Sequence, residues 1–335
     1  MTDRAALIRS FLDAAGWGGA RRATLAGDAS FRRYDRLTGG PRPAVLMDAA
    51  PPKEDVRPFV AVARRLKALG FSAPEIYAED VEHGLLLLED LGDSTFTRVL
   101  AAAPERETAL YALATDTLIA LHRAFRPAPG DPPRFDDARA VAETERLLDW
   151  MWPATHGGEA PSAARDAFRR AWSQVLPAWR GVPESLILYD FHVDNLLWLA
   201  ERDGPAACGL LDFQDALIGP CGFDLMSLLQ DVRRDVPAPL AEAMIERYLD
   251  AFPELDRDAF RASYAVGGAQ RNIRILGTFV RLWRRDGKPG YLRWLPRTWA
   301  MVDADLAHPA LAPLKAWFDE HFPQARRALD VTAPT

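Results

Sequence analysis

Cysteine is scarce in this chain, which holds only Cys208 and Cys221 among its 335 residues. The two do not form a ligand-like pair, and no cluster of cysteine and histidine has the spacing of a structural zinc site. Disulfide-stabilised secreted domains are rich in cysteine, so this composition argues against that class. The simplest interpretation is a cytosolic protein with reduced thiols.

Long hydrophobic runs and an excess of basic charge are also missing. No apolar stretch approaches the roughly 20 residues that a membrane-spanning helix needs. The first segment, MTDRAALIRSFLDAAGW, is typical of an amphipathic helix and lacks the apolar core of a signal peptide. The formal net charge of −6 argues against a general nucleic-acid binder. We therefore expect a cytoplasmic protein with no nucleic-acid or membrane partner. We also expect it to be a monomer whose partners are small molecules.

The order of the predicted elements indicates an α+β fold. Three short β runs joined by turns occupy residues 20–48 and favour an antiparallel meander. A helix with one apolar face follows and should end at Gly70, and two further strands come before residue 90. Helical patterns dominate the remainder. The sequence thus predicts a small β-rich, nucleotide-binding lobe over residues 1–90, a larger helical lobe with the catalytic and substrate site over residues 91–335, and a ligand cleft between them.

Polar residues close the short apolar runs of LILYDFHVDNLLWLAERDGPAACGLLDFQDA, residues 186–216. Its Asp203-Gly204 pair is a strong signal for a two-residue hairpin turn. A turn at that pair makes Asn195 face Asp212, with Cβ atoms about 4.5–5.5 Å apart. Pro205 weakens this register, because proline cannot donate to a strand ladder. A longer symmetric loop would keep the same pairing, whereas an asymmetric loop would not.

Three of these polar groups have the chemistry that phosphoryl transfer from a magnesium nucleotide requires. Asp190 would orient and deprotonate the acceptor hydroxyl, while Asn195 and Asp212 would hold Mg²⁺ on the phosphates. Any one of them alone is more often a turn-forming residue. Their combination on one predicted hairpin favours the catalytic interpretation.

This pattern resembles the aminoglycoside-phosphotransferase-like kinases, which share the protein-kinase fold and include the choline kinases. That family has His-Gly-Asp with Asn five residues after the Asp, which is matched here by Tyr189-Asp190 and Asn195. A second metal-binding aspartate ends the following strand, as Asp212 does. The later segment GPCGFDLMSLL contains Asp224, which looks like the aspartate that supports the catalytic loop. The resemblance implies a two-lobed, protein-kinase-like fold, ATP as phosphoryl donor and Mg²⁺.

A narrower resemblance rests on the segments GDASFRRYDRL, VLMDAAPPKED, LLLEDLGD and YDFHVDNLLWL. Together they are similar to the bacterial anomeric kinases that phosphorylate N-acetylmuramate and N-acetylglucosamine at the 1-hydroxyl in cell-wall recycling. This resemblance implies the same amino-sugar acceptors. An aminoglycoside or a choline-like amine is the alternative acceptor, and such sites use acidic or aromatic residues around the cation.

The resemblance also assigns nucleotide contacts. The loop between the first two strands corresponds to the loop that covers the phosphates in kinases, through backbone N–H groups and a hydroxyl. The residues assigned to it are Gly27, Ala29, Ser30 and Phe31. The carbonyl of Glu89 and the N–H of Leu91 would bind the adenine edge. An ordinary hairpin turn explains the loop equally well on local grounds.

One element of the family pattern is absent. Kinases of this fold carry a lysine on strand three that pairs with a helix glutamate and holds the phosphates. The corresponding position here is Met47, and the helix that follows has no glutamate in its middle. Lys53, Arg32 and Arg33 are the candidates to supply the charge. The departure raises a further alternative, a nucleotide-binding pseudokinase that acts as a scaffold.

Candidate acceptor contacts come from the catalytic segment and from a later helix. His192 either contacts the sugar or supports the loop through hydrogen bonds. Gln270, Arg271 and Arg274 lie on one predicted helix, where an arginine could bind the lactyl carboxylate of muramate with two parallel hydrogen bonds. Helical arginines are usually exposed surface residues, so a structural interpretation stays open for them.

Overall fold

The computed structural model describes residues 4–25 and 31–329. Their packing forms two compact units, and each is built from two stretches of chain. Unit 1 is drawn from Met1–Pro132 and Val193–Ala216, and unit 2 from Pro133–His192 and Leu217–Thr335. The assignment of nucleotide binding to residues 1–90 and of acceptor binding to residues 91–335 stays a prediction.

The elements alternate briefly between strand and helix and then become mainly helical. The strands are β1 (Arg21–Thr24), β2 (Arg33–Thr38), β3 (Ala44–Asp48), β4 (Ile76–Asp80), β5 (Leu85–Glu89), β6 (Glu184–Ile187), β7 (Leu196–Trp198), β8 (Cys208–Leu210) and β9 (Leu217–Pro220). The helices are α1 (Arg4–Ala14), α2 (Arg57–Ala68), α3 (Phe96–Ala102), α4 (Glu107–Ala124), α5 (Asp137–Thr144), α6 (Trp152–His156), α7 (Ser162–Trp179), α8 (Phe223–Leu229), α9 (Ala238–Ala251), α10 (Arg257–Arg284), α11 (Leu295–Leu306) and α12 (Ala312–His321). The predicted α+β class is confirmed.

Unit 1 is organised around a five-stranded antiparallel sheet with the order β1-β2-β3-β5-β4. The apolar residues of β5 are buried on both faces, as four consecutive leucines require. One face packs against α1, which buries Ile8 and Leu12 in the same core as Leu46 and Leu87. The amphipathic N-terminal helix thus covers the sheet, because its apolar positions recur at helical spacing.

Helix α2 ends where the sequence predicts. Gly70 adopts a φ of 89°, and its N–H donates to the Lys67 carbonyl at 3.0 Å. The Phe71 N–H donates to the Leu66 carbonyl at 3.0 Å. These two bonds form a Schellman motif, in which glycine supplies the left-handed conformation without steric cost.

The predicted hairpin register is wrong by one residue. β7 and β8 are antiparallel, but Leu196 pairs with Leu210, and the Leu211 N–H donates to the Asn195 carbonyl at 3.0 Å. The cause is an asymmetric connection, since the segment Gly204–Ala207 forms a 3₁₀ turn. Asp203 keeps a φ of −109°, whereas the predicted two-residue turn needs positive φ at both central positions. Asn195 therefore does not face Asp212.

Unit 2 is a helical assembly around α10, the longest helix. Its core includes buried tryptophans of α7, Trp172 and Trp179, together with Val266 and Ile273 of α10. The short antiparallel pair β6–β9 is embedded in this unit and leads into the predicted catalytic segment. None of the helices in residues 4–25 and 31–329 combines the length and the apolar character that a membrane crossing requires.

Candidate active site

Asp224 holds the chain immediately before the predicted catalytic aspartate. It lies in the first turn of α8 and is fully buried. Its carboxylate accepts the Leu188 N–H at 2.5 Å and the Tyr189 N–H at 2.9 Å. Burial raises the pKa of Asp224 to about 7, although the two amide bonds act in the opposite direction. The contacts are those that a loop-supporting role requires, and the role itself stays a prediction.

Tyr189 occupies an unusual backbone conformation with a φ of 74°. A bulky residue reaches this region only where its surroundings fix it. Its hydroxyl donates to Glu143 at 2.6 Å and accepts a hydrogen bond from Arg274, whose guanidinium also lies 4.4 Å from the ring centre. The ring stacks on Phe223 at a centroid distance of 5.7 Å. In the family pattern a glycine precedes the catalytic aspartate, and here these contacts hold a tyrosine in the conformation that glycine adopts readily.

Charged groups of α10 and of the segment after α8 lie within electrostatic reach of one another and of Asp190 in unit 2. Arg271 of α10 is buried and donates to the Gln230 carbonyl at 3.2 Å. Burial lowers the pKa of Arg271 to about 10, and Arg274 acts in the same direction, while the carboxylates of Asp190 and Asp231 oppose the shift. Arg271 therefore stays charged at neutral pH and lies within electrostatic reach of Asp190. Arg271 is therefore not the exposed surface residue that an arginine on a helix usually is.

His192 and Gln270, the other predicted acceptor residues, are both buried. Nε2 of His192 lies 3.5 Å from Nη1 of Arg233. Burial lowers the pKa of His192 well below its ordinary value, and the charges of Arg233 and Arg271 add to the effect, so the ring is neutral. Gln270 donates to the Glu143 carboxylate at 3.3 Å, which places it one contact away from Tyr189.

Two participants in this cluster were not predicted. Glu143 on α5 binds the Tyr189 hydroxyl, yet 46 residues separate the two along the chain. No local motif marks such a long-range contact. Arg233 lies in the charged run DVRRD directly after α8. That run is the feature of the sequence from which a charged residue near the site could have been predicted. Asp190, His192 and Arg271 of the predicted set share unit 2 with these two residues.

The predicted metal ligands Asn195 and Asp212 lie in unit 1, at the same end of the β7–β8 hairpin. Asp212 has a φ of 56°, so its side chain does not follow the alternation of the strand. Its Oδ1 accepts a hydrogen bond from Gln214 Nε2 at 3.0 Å, and the side chain is 32% exposed. A carboxylate and an amide oxygen are hard donors that fit Mg²⁺, which commonly keeps several waters and binds through few protein ligands. Within the described ranges no group of three or more His, Cys, Asp or Glu side chains could form a cage for a metal.

The predicted adenine contacts line a cavity of about 380 Å³ in unit 1. Glu89 and Leu91 belong to one wall, and the chain following β7, from Trp198 to Arg202, forms another. Arg202 bridges the two, because it donates to the Glu89 carboxylate at 2.7 Å. Of the predicted phosphate loop, Gly27, Ala29 and Ser30 lie outside the described residues. Phe31 is 69% exposed, and its N–H donates to Glu54 Oε1 at 3.1 Å.

Comparison with solved structures supports the kinase fold. A choline/ethanolamine kinase family protein from Mesorhizobium loti superposes with a TM-score of 0.63 at 18% identity, covering 93% of this chain and 98% of that one. The GDP complex of an aminoglycoside 2′-phosphotransferase gives a TM-score of 0.58 at 15% identity, covering 86% and 91%. At such identities the likeness concerns the fold alone. It confirms the predicted protein-kinase-like class.

Sequence comparison extends the resemblance to nearly the whole chain. An N-acetylmuramate/N-acetylglucosamine kinase of Caulobacter vibrioides is 38% identical, covering 97% of this chain and 99% of the relative. A kinase of the same name from Pseudomonas aeruginosa is 36% identical, covering 90% and 89%. The model of the phosphotransferase enzyme family matches residues 22–262. The resemblance to aminoglycoside-phosphotransferase-like kinases is confirmed, and the chain belongs to the phosphotransferase enzyme family.

Proposed function

We propose that this protein is an ATP- and Mg²⁺-dependent kinase that phosphorylates the anomeric 1-hydroxyl of N-acetylmuramate and N-acetylglucosamine. The product is the sugar 1-phosphate, formed in the cytoplasm during peptidoglycan recycling. Support comes from relatives at 38% and 36% identity that are named for these two acceptors and match most of the chain. The observation that carries the proposal is the position of the buried Arg271 within electrostatic reach of Asp190.

The charges near Asp190 favour an acidic acceptor over an amine. Arg271 is a buried cation, and Arg233 contacts His192 in the same cluster. Three carboxylates of this unit accept hydrogen bonds within the protein: Glu143 from Tyr189, Asp224 from two backbone amides and Asp231 from the Arg233 N–H. A sugar acid would supply opposite charge to the arginines, and Arg matches a carboxylate through two parallel hydrogen bonds. A choline-like cation would instead meet like charge.

The roles of the residues follow from the chemistry of phosphoryl transfer. Asp190 would accept the proton of the sugar 1-hydroxyl as the hydroxyl oxygen bonds to the γ-phosphorus of ATP. At the same time the bond between the γ-phosphorus and the bridging oxygen to the β-phosphate would break, and ADP would leave. Asn195 and Asp212 would hold Mg²⁺, which when bound neutralises charge on the phosphates. Glu89 and Leu91 would bind the adenine. Catalysis would rest on positioning and on charge stabilisation rather than on a covalent intermediate.

Met47 favours one rival, the pseudokinase scaffold, because it leaves strand three without its lysine. A coupled ADP assay separates the two functions. An enzyme releases ADP when an acceptor is added, whereas a scaffold is stabilised thermally by ATP without any acceptor-dependent ADP release.

The decisive measurement is phosphorus NMR of the product formed from N-acetylmuramate and Mg·ATP. The expected signal is a sugar phosphate coupled to the anomeric proton, with the same result for N-acetylglucosamine. Choline and kanamycin serve as comparison acceptors. A phosphate on another hydroxyl refutes the position, and transfer only to choline or kanamycin refutes the acceptor class.

A further inference from the structure

The face of the sheet around Met47 suggests which residue replaces the missing lysine. Met47 of β3 pairs directly with Tyr34 of β2. Arg32 lies two residues before Tyr34, and residues two apart in extended chain share a face. The Arg32 guanidinium lies within electrostatic reach of the Tyr34 side chain. Arg32 therefore comes to the face of the sheet on which a lysine at position 47 would lie.

The surroundings of Arg32 reproduce the charges that normally flank that lysine. Its Nη1 lies 3.6 Å from Asp212 Oδ1, and its Nε lies 3.7 Å from Glu54 Oε2. Asp212 is the predicted metal ligand. Glu54 precedes α2 and brings a carboxylate close to the Arg32 guanidinium. Cation, glutamate and metal-binding aspartate thus meet in unit 1.

The hydrogen-bonding capacity of Arg32 is largely unused. Its side chain is only 13% exposed, and Nε and Nη1 are buried without a hydrogen-bond partner among the described residues. Both carboxylates stand within ion-pair distance but beyond ordinary hydrogen-bond length. The guanidinium is fully charged, and it holds donors that a phosphate could use.

The two other candidate cations are placed differently. Arg33 is exposed and pairs with Asp48 across β2 and β3, so strand alternation puts it on the opposite face from Met47. Lys53 is exposed, and its ammonium lies 4.9 Å from the centre of the Phe31 ring. Neither has an ion pair with Asp212 or Glu54 among the contacts of the described residues.

We propose that Arg32 binds the phosphates of the nucleotide in place of the strand-three lysine, with Glu54 as the carboxylate that orients it. The proposal rests on the proposed function only in requiring that the protein binds ATP. A guanidinium supplies two parallel donors to a phosphate where an ammonium supplies a point charge. The cation and its glutamate would thus both come from positions other than those of the family pattern.

Calorimetric titration with Mg·ATP and with adenosine tests the proposal on wild type, Arg32→Met and Arg33→Met. Arg32→Met should weaken ATP binding roughly ten- to hundredfold, as expected when a charged hydrogen bond is lost, and leave adenosine binding unchanged. Arg33→Met is the matched control and should bind both ligands like wild type. Wild-type ATP affinity in Arg32→Met overturns the proposal, and so does an equal loss of ATP and adenosine affinity.

A second variant tests whether positions 32 and 47 serve the same phosphate. Arg32→Met combined with Met47→Lys should regain most of the ATP affinity, and a folded double variant that binds no better than Arg32→Met contradicts the shared role. Thermal melting of each variant reports folding. Should Arg32→Met not fold, Arg32→Gln keeps an amide donor beside the two carboxylates and is judged by the same criteria. Because no sugar is present, failure of the acceptor assignment leaves these binding results unaffected.

Discussion

The Tyr189 hydroxyl donates a hydrogen bond to the Glu143 carboxylate at 2.6 Å, and this contact joins the segment before Asp190 to α5. Arg274 donates to the same hydroxyl, and Gln270 donates to the same carboxylate. The four side chains form a connected polar network in unit 2. Such a network fixes the backbone from which Asp190 projects, so its members should affect turnover without touching the phosphoryl group.

Replacing Asp190 by Asn should nearly abolish turnover, by a factor of about a thousand, because the amide cannot accept the acceptor proton. Adenosine and ATP binding should stay within about twofold, since the predicted nucleotide contacts lie elsewhere in the chain. Steady-state kinetics and calorimetry measure the two effects. Asp203→Asn, an exposed loop position, is the control and should behave like wild type. Turnover near the wild-type value in Asp190→Asn would refute the assigned role.

The Glu143–Tyr189 contact can be measured by a double-mutant cycle. Glu143→Gln and Tyr189→Phe should each lower the free energy of unfolding, and the coupling between them should be about 0.5–3 kcal/mol, the range for contacting residues in one network. The Glu143 side chain is only 12% exposed, so solvent screens this pair weakly. Urea unfolding of the four proteins gives the coupling. A value near zero would mean that the contact does not stabilise the segment.

At position 189, a glycine variant should be more stable than an alanine variant, which is the reverse of the usual order. Alanine is normally the more stable of the two, but at a φ of 74° glycine avoids the strain of a Cβ atom. Tyr189→Gly should therefore be more stable than Tyr189→Ala by about 1 kcal/mol, the cost that a Cβ atom adds in the left-handed region. At the neighbouring Leu188, which is not among the residues with positive φ, alanine should be the more stable. Urea unfolding of both pairs decides, and a more stable alanine at 189 contradicts the backbone geometry.

The buried Asp305 should make stability depend on pH. Burial raises its pKa to about 8, although hydrogen bonds from Gln230 and Asn272 act against the shift. Because the folded pKa lies above the unfolded value, the stabilisation is complete at low pH and is lost as the pH rises from about 4 to about 8. Asp305→Asn removes this titration. The stability of the variant relative to wild type should therefore rise between about pH 5 and pH 8 in unfolding experiments, and a constant difference would contradict the pKa shift.

The sequence was most informative where local rules determine structure. The end of α2 at Gly70 follows from glycine at a left-handed position, and the leucines of β5 predicted a buried strand. The hairpin register failed because Pro205 and its neighbours form a 3₁₀ turn, which breaks the symmetry that the prediction assumed. Glu143 could not be predicted, since its contact with Tyr189 depends on how distant helices pack.

Acceptor selectivity should depend on Arg271. N-acetylmuramate carries a lactyl carboxylate that N-acetylglucosamine lacks, so an arginine that binds this group contributes to only one of the two acceptors. Arg271→Met should raise KM for N-acetylmuramate roughly tenfold or more, consistent with the loss of a charged hydrogen bond, and change KM for N-acetylglucosamine much less. Arg281→Met is the matched control. Arg281 lies on the same helix, but its charged neighbours include Arg285 and Asp286, whereas those of Arg271 include Asp190. Since Arg271 also donates to the Gln230 carbonyl, a merely structural role would weaken both acceptors equally, and that outcome would remove Arg271 from the acceptor site.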